Sequence, residues 1–148
     1  MSTTPIAHPE LHARIESSFV RQGMMRHLGA RLVSVAPGEV EIALPYSERV
    51  TQQQGGYHGG AMGALADSAA GYAGLTLAAE GQEVTTVEYK INFLAAFQGG
   101  ELRARGHVVR AGKRLIITTA EVVHLNDDGG ESPCALMQQT LATVKQSY

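Results

Sequence analysis

A chain of 148 residues fits one domain spanning 1–148, long enough to bury about 70% of the surface its unfolded form exposes. Hydrophobic residues make up 44% and charged residues 18% of it, which excludes a disordered segment and points to a water-soluble globular protein. The net charge of -2 offers no broad cationic field for a phosphate backbone, so nucleic acid is not an expected partner.

Residues 1–8 read as a flexible tail. The polar start "MSTTPIAHPELH" lacks the basic and apolar regions of a secretory signal, and the lone Cys134 leaves no internal disulfide, so a cytoplasmic protein is expected. Pro9 suits the first turn of a helix, and Leu11, Ile15 and Phe19 recur every four residues before Gly23 interrupts. A short second helical piece through Met24, Met25 and Leu28 ends near Gly29. From Arg31 the period changes to two: "RLVSVAPGEVEIAL" reads as a hairpin turning at Pro37 and Gly38 and closed by Pro45. "PYSERVTQQQGGY" is a polar loop.

Residues 59–79 carry apolar side chains on nearly every face, which predicts a helix surrounded by protein rather than a membrane span, since Asp67, Ser68 and glycines interrupt it. Beyond Gly81 come "TTVEYKINFL", "ELRARGHVVR", "KRLIITTAEVVHL" and "CALMQQTLATV", four strands joined by hairpin-length turns. In the first of them strict alternation puts Val87, Tyr89, Ile91 and Phe93 on one face and Thr86, Glu88, Lys90 and Asn92 on the other. The expected class is α+β: an antiparallel sheet of about six strands around one long central helix.

A carboxylate buried without a partner is costly, so Asp67 is either paired or used; the alternative is a polar stripe shared with Ser68. "GGYHGG" at the helix start places four glycines and His58 where unpaired backbone N–H groups can hold an oxyanion, or where they only make a tight, capped turn. At about 1.5 Å per residue, Gly59 and Asp67 lie about 12 Å apart along one helix, too far to touch one carbonyl. If both act on the same atom, they come from two subunits.

In "HGGAMGALADSAAG", "VTTVEYKINFLAAFQGG" and "VVRAGKRL" the sequence resembles the hotdog-fold acyl-CoA thioesterases of the phenylacetate-pathway, PaaI-type subgroup, over about residues 20–145. The resemblance implies hydrolysis of a small-to-medium or aromatic acyl-CoA. Asp67 would act as nucleophile or base, the Gly59 N–H would polarise the thioester carbonyl, and His58 and Gly60 would shape that end. It also implies an orienting amide at Gln52, with Gln53 adjoining, and a hydroxyl at Thr86, with Thr85 as fallback. Thr86 is equally compatible with an ordinary solvent-facing position. Arg110, Lys113 and Arg114 cluster where related proteins hold the phosphates of coenzyme A, and a solvated hairpin tip is the alternative. Coenzyme A is then part of the substrate, and no separate cofactor or metal is expected. The assembly implied is a homo-oligomer, at least a dimer and up to a tetramer.

Two other readings keep the fold: a non-catalytic protein that binds an acyl-CoA or aromatic ligand, and a hydratase or dehydratase. The pair His8 and His12 in "HPELH" has Pro9 where a helical zinc motif needs its glutamate.

Overall fold

The computed structural model describes residues 8–148. The tail expected over 1–8 therefore falls, except for His8, outside the described residues. Helix α1 spans Pro9–Phe19 and α2 spans Gly23–Leu28. Ile15, Phe19, Met25 and Leu28 are buried, as the four-residue spacing requires. Gly29 caps α2 with φ 81, a conformation other residues adopt only at a cost.

Six strands follow: β1 Arg31–Ala36, β2 Glu39–Pro45, β3 Gln82–Phe93, β4 Glu101–Ala111, β5 Leu115–Leu125 and β6 Glu131–Lys145. They form one antiparallel sheet in the order β1-β2-β4-β5-β6-β3. The long helix α3, Gly59–Leu75, lies against β2, β3, β4, β5 and β6. This is the hotdog arrangement. Its core is small-on-small where helix and sheet meet: Ala66, Ala69, Ala70 and Ala73 of α3 share one buried cluster with Ala104 and Ala120. Opposite the helix, Arg31, Glu101, Arg103, Glu41, Arg105 and Glu131 pair across the strands.

Three local expectations need correction. The central helix stops at Leu75 rather than running to residue 79. Thr76 ends it, because its hydroxyl donates to the Ala73 carbonyl at 2.6 Å and accepts the Gly38 N–H at 2.7 Å, tying the helix end to the β1–β2 turn. Nor is α3 covered on every side. Gly60 is exposed and Ala64, Asp67, Ser68 and Gly71 are half-buried, a stripe recurring every three or four residues. The stripe is made of small or polar residues, so leaving it open costs little.

The third correction concerns β3, where the pairing with β6 shifts register between Thr86 and Glu88. Val87 is an extra residue in the ladder, a β-bulge. Thr86 pairs with Leu141, Tyr89 with Gln139, Ile91 with Met137 and Phe93 with Ala135, all buried positions of β6. Thr86 therefore shares the helix-facing side with Tyr89, Ile91 and Phe93, and the expectation that it faces away from Tyr89 fails.

Cys134 lies fully buried, with its thiol donating to the Val122 carbonyl at 3.2 Å, and burial pushes its pKa up to about 11. A thiol held this way is a poor nucleophile. A chromogenic disulfide reagent at about pH 8 should find no reactive thiol within minutes in the folded protein and one per chain after denaturation; rapid labelling of the folded protein would contradict this packing.

Candidate active site

Asp67 sits midway along the open stripe of α3, where two side chains from the sheet converge on one of its oxygens. Thr86 Oγ1 donates to Asp67 Oδ1 at 2.7 Å. Gln139 Nε2 donates to the same Oδ1, and at 3.3 Å it also reaches the Asp67 main-chain carbonyl and Thr86 Oγ1. Behind them Thr118 Oγ1 donates to Gln139 Oε1 at 2.9 Å. Asp67 Oδ2 accepts no hydrogen bond among the described residues, so it remains available to a reactant.

The acid opens on a cavity of about 490 Å³ lined by Asp67, Thr86, Tyr72, Gln22, Arg21 and Tyr148, among others. At its far side the Tyr72 hydroxyl meets Ser18 Oγ at 3.1 Å and accepts from Gln22 Nε2 at 2.9 Å. Burial raises the pKa of this phenol, so it stays neutral. The Arg21 guanidinium stacks over the Tyr148 ring at 4.6 Å, and Ser18 at the end of α1 with Arg21 and Gln22 of the turn after it supplies one wall.

The glycine-rich end of α3 is a separate place. His58 is the N-cap, with Nδ1 accepting the Gly60 N–H at 2.7 Å, which leaves that nitrogen without a proton. The Gly59 N–H has no partner among the described residues. A Cβ on Gly59 would lie 3.1 Å from Phe93 Cζ and crowd the tip of that ring, and one on Gly60 would lie 2.9 Å from His58 Nδ1, so the capping imidazole would have to shift. Gln52 folds onto its own turn, its Oε1 accepting the Gln54 N–H and its N–H donating to Gly56 O at 2.9 Å. Gln53 is exposed.

The structure thus joins Asp67 to Thr86 and separates that pair from His58, Gly59 and Gly60 at the start of α3 by about 12 Å of helix within one chain, with Gln52 in the turn before that helix. Thr85 pairs with Ala142 on the opposite face of the sheet, away from the acid. Arg110, Lys113 and Arg114 are exposed at the β4–β5 turn. Ala111, Ile116, Leu141 and Thr86 are successive partners across the sheet, which puts that turn three strand spacings, about 14 Å, from Thr86. Gln139 and Thr118 were not expected from the sequence. Their signal was a glutamine on the same alternating face of β6 as Met137 and Leu141, but the other face mixes polar and apolar residues too.

The sequence profile of the thioesterase superfamily matches residues 54–131, more than half of the chain. The chain belongs to the thioesterase superfamily. Within this superfamily member the matched span carries His58, Gly59, Asp67, Thr86 and Thr118, begins after Gln52 and stops before Gln139. A thioesterase-family protein from Silicibacter pomeroyi is 38% identical, with a TM-score of 0.88 over 92% of this chain and 99% of that one. The 1,4-dihydroxy-2-naphthoyl-CoA hydrolase of Listeria monocytogenes is 31% identical over 84% of this chain and 98% of its own length. The PaaI protein of the Escherichia coli phenylacetic acid degradation operon is 20% identical with a TM-score of 0.81 over 93% of this chain and 96% of that one, a likeness of fold.

Proposed function

We propose that the protein hydrolyses an acyl-CoA thioester to a free acid and coenzyme A, with Asp67 as the catalytic acid. The observation that carries this reading is a carboxylate held by two donors on Oδ1, with Oδ2 unpartnered, opening on a cavity in a thioesterase-superfamily chain. As a base, Oδ2 takes a proton from water while the water oxygen bonds to the carbonyl carbon; the carbon–sulfur bond then breaks and the thiolate receives the proton. As a nucleophile, Oδ2 bonds to that carbon and the carbon–sulfur bond breaks, releasing coenzyme A as the thiolate; water then hydrolyses the resulting anhydride, restoring the Asp67 carboxylate, and a proton from that water goes to the thiolate. In both routes negative charge develops on the carbonyl oxygen and needs a preorganised donor.

The unpaired Gly59 N–H suits that task, but it lies about 12 Å from Asp67 of its own chain. In this reading a second protomer supplies it, together with His58, Gly60 and Gln52. Exposed Val87, Tyr89, Phe93 and Leu94 lie along or just beyond β3, an edge strand of the sheet, next to the open stripe of α3. Such an edge is a template for pairing with another chain, which supports a dimer; two dimers would make the tetramer. Arg110, Lys113 and Arg114 would meet the phosphates of coenzyme A, and Gln53 and Thr85 hold at most peripheral positions.

Aromatic acyl groups are favoured within the small-to-medium class. The cavity beside Asp67 is roomy enough for a ring, and the naphthoyl-CoA hydrolase relative acts on such a group. Membership of the PaaI-type subgroup rests on the "HGG", Asp67 and glycine-turn motifs. Thiol release from acetyl-, hexanoyl-, palmitoyl- and benzoyl-CoA tests the proposal. Turnover of at least one, with benzoyl-CoA or hexanoyl-CoA ahead of palmitoyl-CoA, is expected. Binding of a thioester with no release of thiol would leave a binding protein instead.

A further inference from the structure

We infer that Gln139, anchored by Thr118, is the positioning residue that selects Oδ2 as the working oxygen of Asp67. The inference rests on the proposed catalytic role of Asp67. Gln139 is 1% exposed and Thr118 is fully buried, and a buried primary amide is tolerated only when its groups find partners. The bonds of its Nε2 all run into the site, and its Oε1 is held from behind by Thr118. Thr118 gives its hydroxyl hydrogen to Oε1, which turns Nε2 towards Asp67 and Thr86. Because Thr86 gives its own hydrogen to Asp67, its oxygen is left to accept from Nε2.

The consequence is directional. Two donors meet on Oδ1 while Oδ2 has none among the described residues, so the carboxylate cannot rotate about its last bond without losing both. Nε2 also touches the main-chain carbonyl of Asp67, which ties the backbone of α3 to β6 where the acid projects. A glutamine that only satisfied a buried cavity would affect stability; one that aims a carboxylate affects turnover and its pH dependence.

The test compares Gln139→Leu, Gln139→Glu, Thr118→Val and Asp67→Asn with wild type, using whichever of the four acyl-CoAs above turns over fastest. Folding and oligomeric state are checked for each. Gln139→Leu should lower kcat about tenfold or more, as expected for losing a hydrogen bond to a charged group, while KM stays within about twofold. Thr118→Val should move kcat in the same direction by less. Gln139→Glu puts a second carboxyl beside Asp67, so the pair shares a proton and the acid limb of kcat/KM moves to higher pH, with activity recovering as pH rises. Should Gln139→Leu fail to fold, Thr118→Val and the Gln139→Glu pH profile decide. Folded position-139 variants with wild-type kcat and pH profile overturn the inference even if Asp67→Asn is inactive. An active Asp67→Asn overturns the catalytic reading beneath it.

Discussion

Replacing Asp67 by Asn should leave the fold intact and lower thioester turnover at least about a hundredfold, about 2.7 kcal/mol of transition-state stabilisation. The two carboxylate oxygens have different partners. Asn retains an Oδ1 that accepts from Thr86 and Gln139 as the native carboxylate does, so the network behind it survives. The unpartnered Oδ2 becomes an amide nitrogen that neither attacks a carbonyl nor takes a proton from water. Melting temperature and oligomeric state should therefore match wild type, and the loss should appear in kcat. A variant that folds and keeps more than about a tenth of wild-type turnover would remove Asp67 from the chemistry.

Gly106→Ala should be the most damaging small change in the core. A Cβ there would lie 2.3 Å from Ala69 O, 2.4 Å from Ala69 C and 2.6 Å from Ala70 N. These are backbone atoms of α3, which cannot turn aside as a side chain can, so helix and β4 must separate. A cost of about 3 kcal/mol or more is expected, the upper part of the overpacking range, lowering the melting temperature by about 6–12 °C for a chain of this size. Gly74→Ala provides the comparison. Its Cβ would approach Leu141 Cδ1 at 2.3 Å but otherwise only side-chain atoms at 3.6 Å or more, and a methyl group can rotate away. Its loss should be clearly smaller, and equal losses at the two sites would contradict the account of how closely α3 rests on β4.

The order of elements was legible because period and punctuation agree. Leu11, Ile15 and Phe19 mark a helix face, Pro37 and Gly38 mark a hairpin, and the alternating segments beyond residue 81 mark strands. Asp67 was legible for the opposite reason, as one acid in an apolar run. What escaped depends on contacts between distant segments. The helix end is set by Thr76 meeting Gly38, thirty-eight positions away. The facing of Thr86 depends on a bulge at Val87, and a one-residue insertion reverses every alternation argument downstream of it. The role of Gln139 depends on partners from α3, β3 and β5, which lie far from it in sequence. Gly106 carried a fainter signal: glycine inside a strand marks close backbone approach.

The arrangement of the site also explains why one chain looks incomplete. In the proposed site Asp67 and Thr86 form one half and the Gly59 N–H with its His58 cap the other, and helix geometry keeps the halves about 12 Å apart in one chain. If both act on one carbonyl, as proposed, a second copy must join them, and the exposed apolar side chains on and beside the β3 edge would offer it a surface.

Complementation between two inactive variants tests this claim most directly. Gly59→Pro removes the unpaired N–H at the first helical position, where proline is tolerated once the tip of the Phe93 ring, 3.1 Å from the added Cβ, gives by a few tenths of an ångström, and Asp67→Asn removes the acid. Each is expected to fold and to be inactive alone. Co-expressed in equal amounts they should regain thioesterase activity to about a quarter of the wild-type level, because half of the dimers are mixed and each mixed dimer holds one intact site of two. Mixed dimers that form but show no recovered activity would contradict a site shared between two chains.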